Sequence, residues 1–258
     1  MAQKEQIVET KFTHRIRAMF DSIAPTYDIL NRLNTGGLDV IWRKDLTRKV
    51  AQEKPKRVLD LAAGTCDLSI MLAKSCKGAR IVATDLSHNM LRIGAEKASG
   101  QGVHSIEIEI EDAMQLTYEN NTFDAVTCAF GVRNFESIAH GYEEMFRVLK
   151  PGGMVAILEL CIPQNALLRL GYDVHMNINV PLVSQLFGRR EGAYDYLRES
   201  VKSVPQREKM SGLMSMAGFT RTYYDVYPPG VCAIYVGYKP ENDKYQYLES
   251  IIRKIDNR

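Results

Sequence analysis

Short apolar runs alternate with amphipathic segments through the middle of the chain. Five runs have the length of strands: Arg57–Leu61, Arg80–Asp85, Ser105–Ile110, Phe123–Ala129 and Met154–Leu160. The segments between them carry apolar residues at the 3.6-residue spacing of helices, which predicts helices over Leu68–Ala73, Asn89–Ala98 and Ser137–Leu149. Strands that alternate with helices favour an α/β fold with a mainly parallel sheet and helices on both faces.

The pattern changes in the last third of the chain. A helix over Lys209–Ala217 precedes two strands, Phe219–Tyr227 and Val231–Lys239, which flank the Pro-Pro-Gly turn at 228–230. This pair predicts an antiparallel hairpin that completes a seven-stranded sheet. Residues from about 163 to 204 are rich in Leu, Tyr, Asn and Met, and we interpret them as a helical insertion before that hairpin.

We expect one Rossmann-like domain over residues 1–240, with an N-terminal helical segment over 1–50 and a charged tail over 241–258. Residues 7–20 form a basic amphipathic pattern, for which packing on the domain is the default interpretation and membrane contact the alternative. The turn at 150–153, KPGG, is expected to end the helix over Ser137–Leu149 before the strand Met154–Leu160 begins.

Composition narrows the function classes. The net charge of the 258 residues is +2, which argues against a general nucleic-acid binder. A basic cluster over residues 43–57 and the pair Arg189 and Arg190 are interpreted as solvated faces, with contact to anionic phospholipid as the alternative. The five scattered cysteines predict no metal site and fit a reducing cytoplasm. The polar N-terminus is unlike a signal peptide, and no apolar run is long enough to span a bilayer.

Three features converge at the carboxyl ends of the strands, where such sheets bind ligands. Asp60 and Gly64 belong to a turn of small residues that enters a helix, and Asp85 ends the second strand. Asp112 and Ala113 follow the third strand. A carboxylate at the position of Asp85 can accept both hydroxyls of a ribose, and one at Asp112 can accept an adenine amino group. The alternatives are an ordinary turn, a helix N-cap and a solvated acid.

Four stretches resemble the ubiquinone/menaquinone biosynthesis C-methyltransferase family. They are FDSIAPTYD at 20–28, VLDLAAGT at 58–65, FGVRN at 130–134 and YDYLRES at 194–200, and AGF at 217–219 and GYK at 237–239 also fit. The resemblance implies a class I methyltransferase that uses S-adenosyl-L-methionine, and by motif position it adds Thr65 to the cofactor residues. The chain departs from the family at Ala63 and Cys66, where glycines are usual, and at Ala129, where some members carry serine.

The resemblance further implies transfer of a methyl group to a ring carbon of a polyprenylated quinol, in menaquinone biosynthesis. Deprotonation of a quinol hydroxyl would raise the electron density of the ring. Arg133 is the candidate to stabilise the phenolate that forms. Asn134 follows Arg133 after the strand Phe123–Ala129. Tyr27 and Tyr172 are candidates to orient the ring, and His175 is a candidate base. A lone histidine is more often structural.

Several alternatives stay open from the sequence. The acceptor is a naphthoquinol, a ubiquinone-pathway benzoquinol, or another small aromatic or lipid that is methylated on carbon or oxygen. A non-catalytic cofactor-binding module is a remote alternative, because fold alone does not fix function. Contact with the inner face of the membrane and assembly as a homodimer are also open.

Overall fold

The computed structural model describes residues 10–186 and 193–241, and the charged tail and the Arg189–Arg190 pair lie outside these ranges. Its centre is a seven-stranded sheet in the order β3-β2-β1-β4-β5-β7-β6. The strands are β1 (Arg57–Leu61), β2 (Arg80–Asp85), β3 (Ile106–Ile110), β4 (Phe123–Ala129), β5 (Leu149–Leu160), β6 (Thr220–Tyr227) and β7 (Cys232–Tyr238). The first five are parallel, and β7 is antiparallel to both β5 and β6. The predicted Rossmann-like fold with a final antiparallel hairpin is confirmed.

Helices cover both faces of the sheet and the edge where the parallel strands end. They are α1 (Lys11–Ile23), α2 (Tyr27–Thr35), α3 (Leu38–Gln52), α4 (Asp67–Ser75), α5 (His88–Gly100), α6 (Ile138–Val148), α7 (Ala166–Val174), α8 (Val180–Leu186), α9 (Ala193–Ser203) and α10 (Glu208–Met216). A π-helical turn over His175–Asn179 joins α7 to α8. The side chains of Ser87 and Ser137 cap α5 and α6 by accepting bonds from backbone amides, as N-cap serines do.

Two predictions from the sequence are wrong. The segment 150–153 lies inside β5, whose pairing with β4 shifts register there, because the positive φ of Gly152 lets the strand bulge instead of turning. Arg43 does not belong to a solvated face. It is buried, forms an ion pair with Asp39 and lies over the ring of Phe130.

The core consists of apolar clusters on the two faces of the sheet. The first lies between the sheet and α6 with α10, and the second between the sheet and α3 with α4. All five cysteines are buried and reduced, and burial raises the pKa of Cys161 to about 11. Cys128 and Cys161 are therefore core residues, as expected, since a protonated buried thiol is a poor nucleophile. In the described ranges, no helix has the length and apolar character required to span a bilayer.

One close contact connects a glycine of α5 to the turn after β1. Cys66 adopts a left-handed backbone conformation (φ 61°), and its side chain packs in a small third cluster with Ile70 and Leu91. A Cβ on Gly94 would lie 2.9 Å from the Cβ of Cys66 and still closer to its Sγ. The bulk of Cys66 is therefore accommodated in the core by a glycine on the neighbouring helix.

We expect Gly94→Ala to lower the free energy of unfolding by about 1–3 kcal/mol, because the added methyl overpacks this contact. Cys66→Gly in the same chain should recover part of the loss, since glycine removes the opposing side chain and tolerates the positive φ. Urea unfolding of the two single variants and the double variant measures the coupling. Gly100→Ala is the control on the same helix, because its Cβ would meet nothing within 4 Å. Strictly additive effects would contradict the prediction.

Candidate active site

A cleft opens at the carboxyl ends of the parallel strands, beside the point where the strand order reverses between β1 and β4. It contains about 820 Å³ of space, part of which is open to solvent, and we call it the first cavity. Its wall includes six of the residues singled out from the sequence, namely Tyr27, Gly64, Asp85, Asp112, Ala113 and Asn134. The fold thus brings together side chains that lie up to 107 residues apart, from Tyr27 to Asn134.

Asp85 is fixed at the end of β2 by two backbone amides. Its Oδ2 accepts from the amide of Gly64 at 2.9 Å, and its Oδ1 accepts from the amide of Ser87 at 2.8 Å. Gly64 can present its amide because its φ is 56°, a conformation in which glycine carries no steric cost. Burial raises the pKa of Asp85, while the amide bonds act in the opposite direction. The carboxylate is therefore an oriented acceptor on the cavity wall.

Asp112 and Ala113 form a tight turn directly after β3. The Oδ1 of Asp112 accepts from the amide of Met114 at 2.9 Å, and the Asp112 residue is 9% exposed. Both Asp112 and Ala113 line the first cavity opposite the turn after β1. This turn therefore presents a carboxylate and a backbone amide at the other end of the cleft from Gly64.

Asp60 lies outside the first cavity. Its carboxylate is buried beneath the turn and accepts from Ser69 Oγ at 2.5 Å and from Thr127 Oγ1 at 2.8 Å. Burial raises the pKa of Asp60 to about 6, although these two bonds favour the charged form. It ties α4 and β4 to β1 and lines a small neighbouring cavity beside Arg43. Its contacts are those of a residue that supports the turn.

Thr65 is also turned away from the first cavity, toward the N-terminal segment. Its hydroxyl donates to Asp28 at 2.6 Å and accepts from Lys97 Nζ at 3.0 Å. Lys97 in turn reaches Asp28 at 2.6 Å and Asp67 at 2.7 Å. These four groups fasten the start of α2 to α4 and α5. The sequence analysis missed Lys97, because nothing in the pattern of its helix distinguishes it from an ordinary surface lysine.

Helix α1 forms one wall of the first cavity through residues that include Ile16 and Phe20. Its end is fixed by Asp21, which accepts from Ser87 Oγ at 2.5 Å and from the amide of Asn89 at 3.3 Å. Asp21 and Asp28 both belong to the stretch 20–28 that was noted from the sequence. That stretch therefore docks the N-terminal helices over the cleft, a role its residue types alone did not reveal.

A second, larger cavity lies between α2, α3 and the insertion. It contains about 1540 Å³ of space, including its open mouth, and apolar side chains dominate its wall. Tyr27 and Phe130 line both cavities, so the two spaces meet at these rings. From the insertion, Leu167, Leu168, Tyr172, Met176 and Val180 contribute to the wall. The insertion thus forms part of the wall of the second cavity.

Arg133 lies on the wall of the second cavity in a buried ion pair. Its Nη1 donates to Glu159 Oε1 at 2.7 Å and to the carbonyl of Phe130 at 2.6 Å, with side-chain exposures of 7% for Arg133 and 1% for Glu159. Burial opposes the charge, but Glu159 outweighs it and raises the pKa of Arg133. Its buried Nε has no acceptor in the described part of the chain. A permanent cation with an unused donor therefore lies beside the apolar space.

The loop that carries Arg133 and Asn134 has a constrained backbone. Phe130 adopts a left-handed conformation (φ 59°), which is costly for a bulky residue and persists where the surroundings enforce it. A Cβ on Gly131 would lie 2.6 Å from both Ala62 Cβ and Cys128 Sγ, so only glycine fits. Asn134 accepts from the hydroxyl of Tyr196 on α9 at 3.0 Å. The stretch FGVRN thus holds its polar side chains between the cavities.

His175 and Tyr172 lie on the insertion side of the second cavity. The Nε2 of His175 is 2.8 Å from the carbonyl of Asn34, and its Nδ1 is 3.4 Å from Asn179 Nδ2. These contacts fit a tautomer that donates through Nε2 and accepts a weak bond at Nδ1. Burial raises the pKa of Tyr172 to about 12, which keeps its hydroxyl protonated.

Comparison with known proteins identifies the family. Residues 6–239 match the ubiE/COQ5 methyltransferase family. The chain belongs to this family. A demethylmenaquinone methyltransferase of Thermus thermophilus is 40% identical over 222 residues, which cover 86% of this chain and all of the relative. Another, from Bacteroides fragilis, is 34% identical over 230 residues, 89% of this chain and 94% of the relative.

Solved structures support the fold. A SAM-dependent methyltransferase of Aquifex aeolicus superposes with a TM-score of 0.54 at 19% identity, covering 74% of this chain and 88% of that one. A phosphoethanolamine N-methyltransferase of Haemonchus contortus, solved with S-adenosylhomocysteine, superposes with a TM-score of 0.60 at 14% identity, over 90% and 61% of the chains. The shared feature is the Rossmann-like class I methyltransferase architecture.

The departures from the family pattern have different consequences. The side chain of Cys66 is buried against Gly94 and lies on the wall of neither cavity. Ala63 lines the small cavity beside Asp60. Ala129 does lie on the first cavity, where it offers a methyl group in place of a hydroxyl. Of the three, Ala129 is the one that changes the chemistry of the cleft wall.

Proposed function

We propose that the protein transfers a methyl group from S-adenosyl-L-methionine to a ring carbon of a polyprenylated quinol, converting demethylmenaquinol to menaquinol. The observation that carries this proposal is the meeting of the two cavities at Tyr27 and Phe130, beside the buried cation of Arg133. One cavity offers polar acceptors at a sheet edge, and the other is large and apolar. Relatives that match nearly this whole chain are demethylmenaquinone methyltransferases.

The first cavity fits S-adenosyl-L-methionine, which supplies an electrophilic methyl group on a sulfonium. Asp85 is an oriented carboxylate at the end of β2, the position from which both ribose hydroxyls can be bound. Asp112 and the amide of Ala113 suit the adenine amino group and a ring nitrogen. Gly64 leaves the cleft free of a side chain at the turn, and the nearest atom to a Cβ there would be Tyr27 Cε1 at 4.0 Å. Thr65 and Asp60 support this wall from behind.

In the second cavity, Arg133 binds the oxygen next to the carbon that is methylated. A phenolic hydroxyl ionises near pH ~10 in water, and a buried cation stabilises the phenolate form. The ionised oxygen raises electron density on the ring, which makes its carbon a better nucleophile. After that carbon has gained the methyl group it loses its own proton, which restores the aromatic quinol. Nδ1 of His175, held by a weak bond, is the nitrogen that can take up the hydroxyl proton. Tyr27 and Tyr172 orient the ring. Asn134, which accepts from the hydroxyl of Tyr196, lies between the two cavities.

The acceptor enters from an apolar phase in this proposal. Large apolar side chains are exposed on α2 and on α7 to α8, the helices beside the second cavity, namely Ile29, Leu33, Leu167, Leu170, Val174, Ile178 and Leu182. So many exposed apolar side chains on these helices are unusual in a protein that contacts only water. It suits peripheral contact of a cytoplasmic enzyme with the inner face of a membrane, from which the isoprenoid tail extends into the cavity.

The direct test is methyl transfer from labelled S-adenosyl-L-methionine to reduced demethylmenaquinone and to a demethoxy-benzoquinol, each in detergent. We expect label in the naphthoquinol, because the relatives carry that name. Label in both acceptors would indicate a wider quinol specificity. Label in neither, with cofactor binding intact, would contradict the proposal and favour another small aromatic or lipid acceptor.

Asp85→Ala should weaken binding of S-adenosyl-L-methionine at least 100-fold, because the paired ribose bonds lose their acceptor and the Gly64 amide loses its anchor. Calorimetry on the variant measures this. Asp225→Ala, which removes a carboxylate that is 49% exposed and paired with Lys49 on the far edge, is the control and should bind normally. Unchanged affinity in Asp85→Ala would remove Asp85 from the site.

Arg133→Met should leave cofactor affinity unchanged and lower kcat at least 100-fold, because the phenolate loses its counter-ion. The single variant leaves Glu159 buried without a partner, which is destabilising. Arg133→Met with Glu159→Gln therefore serves as the folded variant and should show the same kinetic loss. Arg198→Met is the control, because this arginine on α9 has a side chain that is 39% exposed and lies on the wall of neither cavity. Full turnover in the folded double variant would exclude this role for Arg133.

A further inference from the structure

A third cavity lies on the opposite side of α7 from the second. It is bounded by the chain after β5, by the end of α9 and by the start of α10, and its wall spans residues 162–169 and 202–213. Leu168 lines the second cavity, whereas its neighbour Arg169 lines the third. Helix α7 thus separates the apolar second cavity from the third cavity.

The wall of the third cavity is strongly basic. Four cations line it, Arg169, Lys202, Arg207 and Lys209. One carboxylate, that of Glu208, also lines it, and that group accepts a hydrogen bond from the hydroxyl of Tyr224. The first turn of α10, which has nine residues, begins at the same place and adds the positive end of its dipole. The excess of positive charge is therefore concentrated on one concave surface.

Arg207 is the decisive residue of this surface. The residue is 8% exposed, and no acceptor or carboxylate in the described part of the chain lies within bonding distance of its guanidinium. Its backbone amide is fixed by donating to the hydroxyl of Tyr235 at 2.9 Å, on the central strand β7. Two other buried arginines, Arg43 and Arg133, each form an ion pair with a carboxylate, whereas Arg207 forms none in the described part of the chain and interacts at longer range with the charge of Glu208.

We propose that the third cavity is a binding site for a phosphate group, with Arg207 as its central ligand. A guanidinium offers parallel donors that match two phosphate oxygens. The ammonium groups of the flanking lysines add positive charge and do not require a particular orientation of the phosphate. A helix N-terminus is also a favourable place for a phosphate. The phosphate belongs to a phospholipid headgroup or is free in solution. Because the site lies on the far face of α7, it is separate from both the cofactor cleft and the quinol cavity.

Titration of the full chain with inorganic phosphate at constant ionic strength, followed by calorimetry, tests the site. We expect saturable binding that is weakened at least tenfold in Arg207→Met. A second variant, Lys202→Gln with Lys209→Gln, changes two exposed residues that leave the core intact, and it should weaken binding at least threefold. Arg92→Met is the matched control, because that arginine is 54% exposed on α5 and paired with Glu96. It should bind phosphate as the unmodified protein does.

Cosedimentation with vesicles distinguishes the two sources of phosphate. If the ligand is a headgroup, binding to phosphatidylcholine vesicles that contain phosphatidylglycerol should fall at least tenfold in Arg207→Met, and inorganic phosphate should compete. If the ligand is free phosphate, vesicle binding should be equal in all variants while calorimetric binding is lost in Arg207→Met. Equal phosphate binding and equal vesicle binding in the unmodified protein and both cavity variants would overturn the proposal. Methyl transfer is measured separately, so failure of either proposal leaves the other intact.

Discussion

The buried ion pair between Arg133 and Glu159 connects the parts of this protein. Glu159 lies near the end of β5 and also accepts from the amides of Arg133 and Leu160, so the carboxylate orders the loop after β4. Two charges removed from water are costly unless their geometry is good and their remaining bonding groups are satisfied. Here Glu159 is well satisfied, while Arg133 keeps one donor unused. The loop therefore holds the guanidinium of Arg133, with one donor still available, at the junction of the two cavities.

The N-terminal helices complete the site through a second set of polar contacts. Asp21 and Asp28 each bind groups on the strand-helix turns of the sheet domain, and α1 and α2 thereby become walls of the cavities. The Lys97 cluster is partly buried, where charge pairs are screened less than at an open surface. The cover over the cleft is thus held by electrostatic contacts at two points, with apolar packing between them.

Three of the seven non-glycine residues with positive φ in the described part of the chain lie next to the same junction. Ala62, Cys66 and Phe130 all have positive φ without being glycine, and all lie in turns at the carboxyl ends of β1 and β4. Such conformations persist when surrounding contacts enforce them. Phe130 is held by edge-on packing against Trp42 and by Arg43 over its ring, and Cys66 by the space that Gly94 leaves. Arg207, at the third cavity, also has a positive φ (52°), and its guanidinium forms no ion pair within the described part of the chain.

The sequence by itself determined the sheet, because strand and helix periodicities are local properties of the chain. Strands β1, β2 and β4 begin and end at the predicted residues. It also placed Asp85, Asp112, Ala113 and Gly64 at one edge, since parallel strands end together. Tertiary structure alone decided which side chains face the cleft. Asp60 and Thr65 lie in the same turn as Gly64, yet their side chains bond to Ser69, Thr127 and Asp28 instead. Such partners come from distant segments, so their choice depends on packing distances that no local pattern encodes.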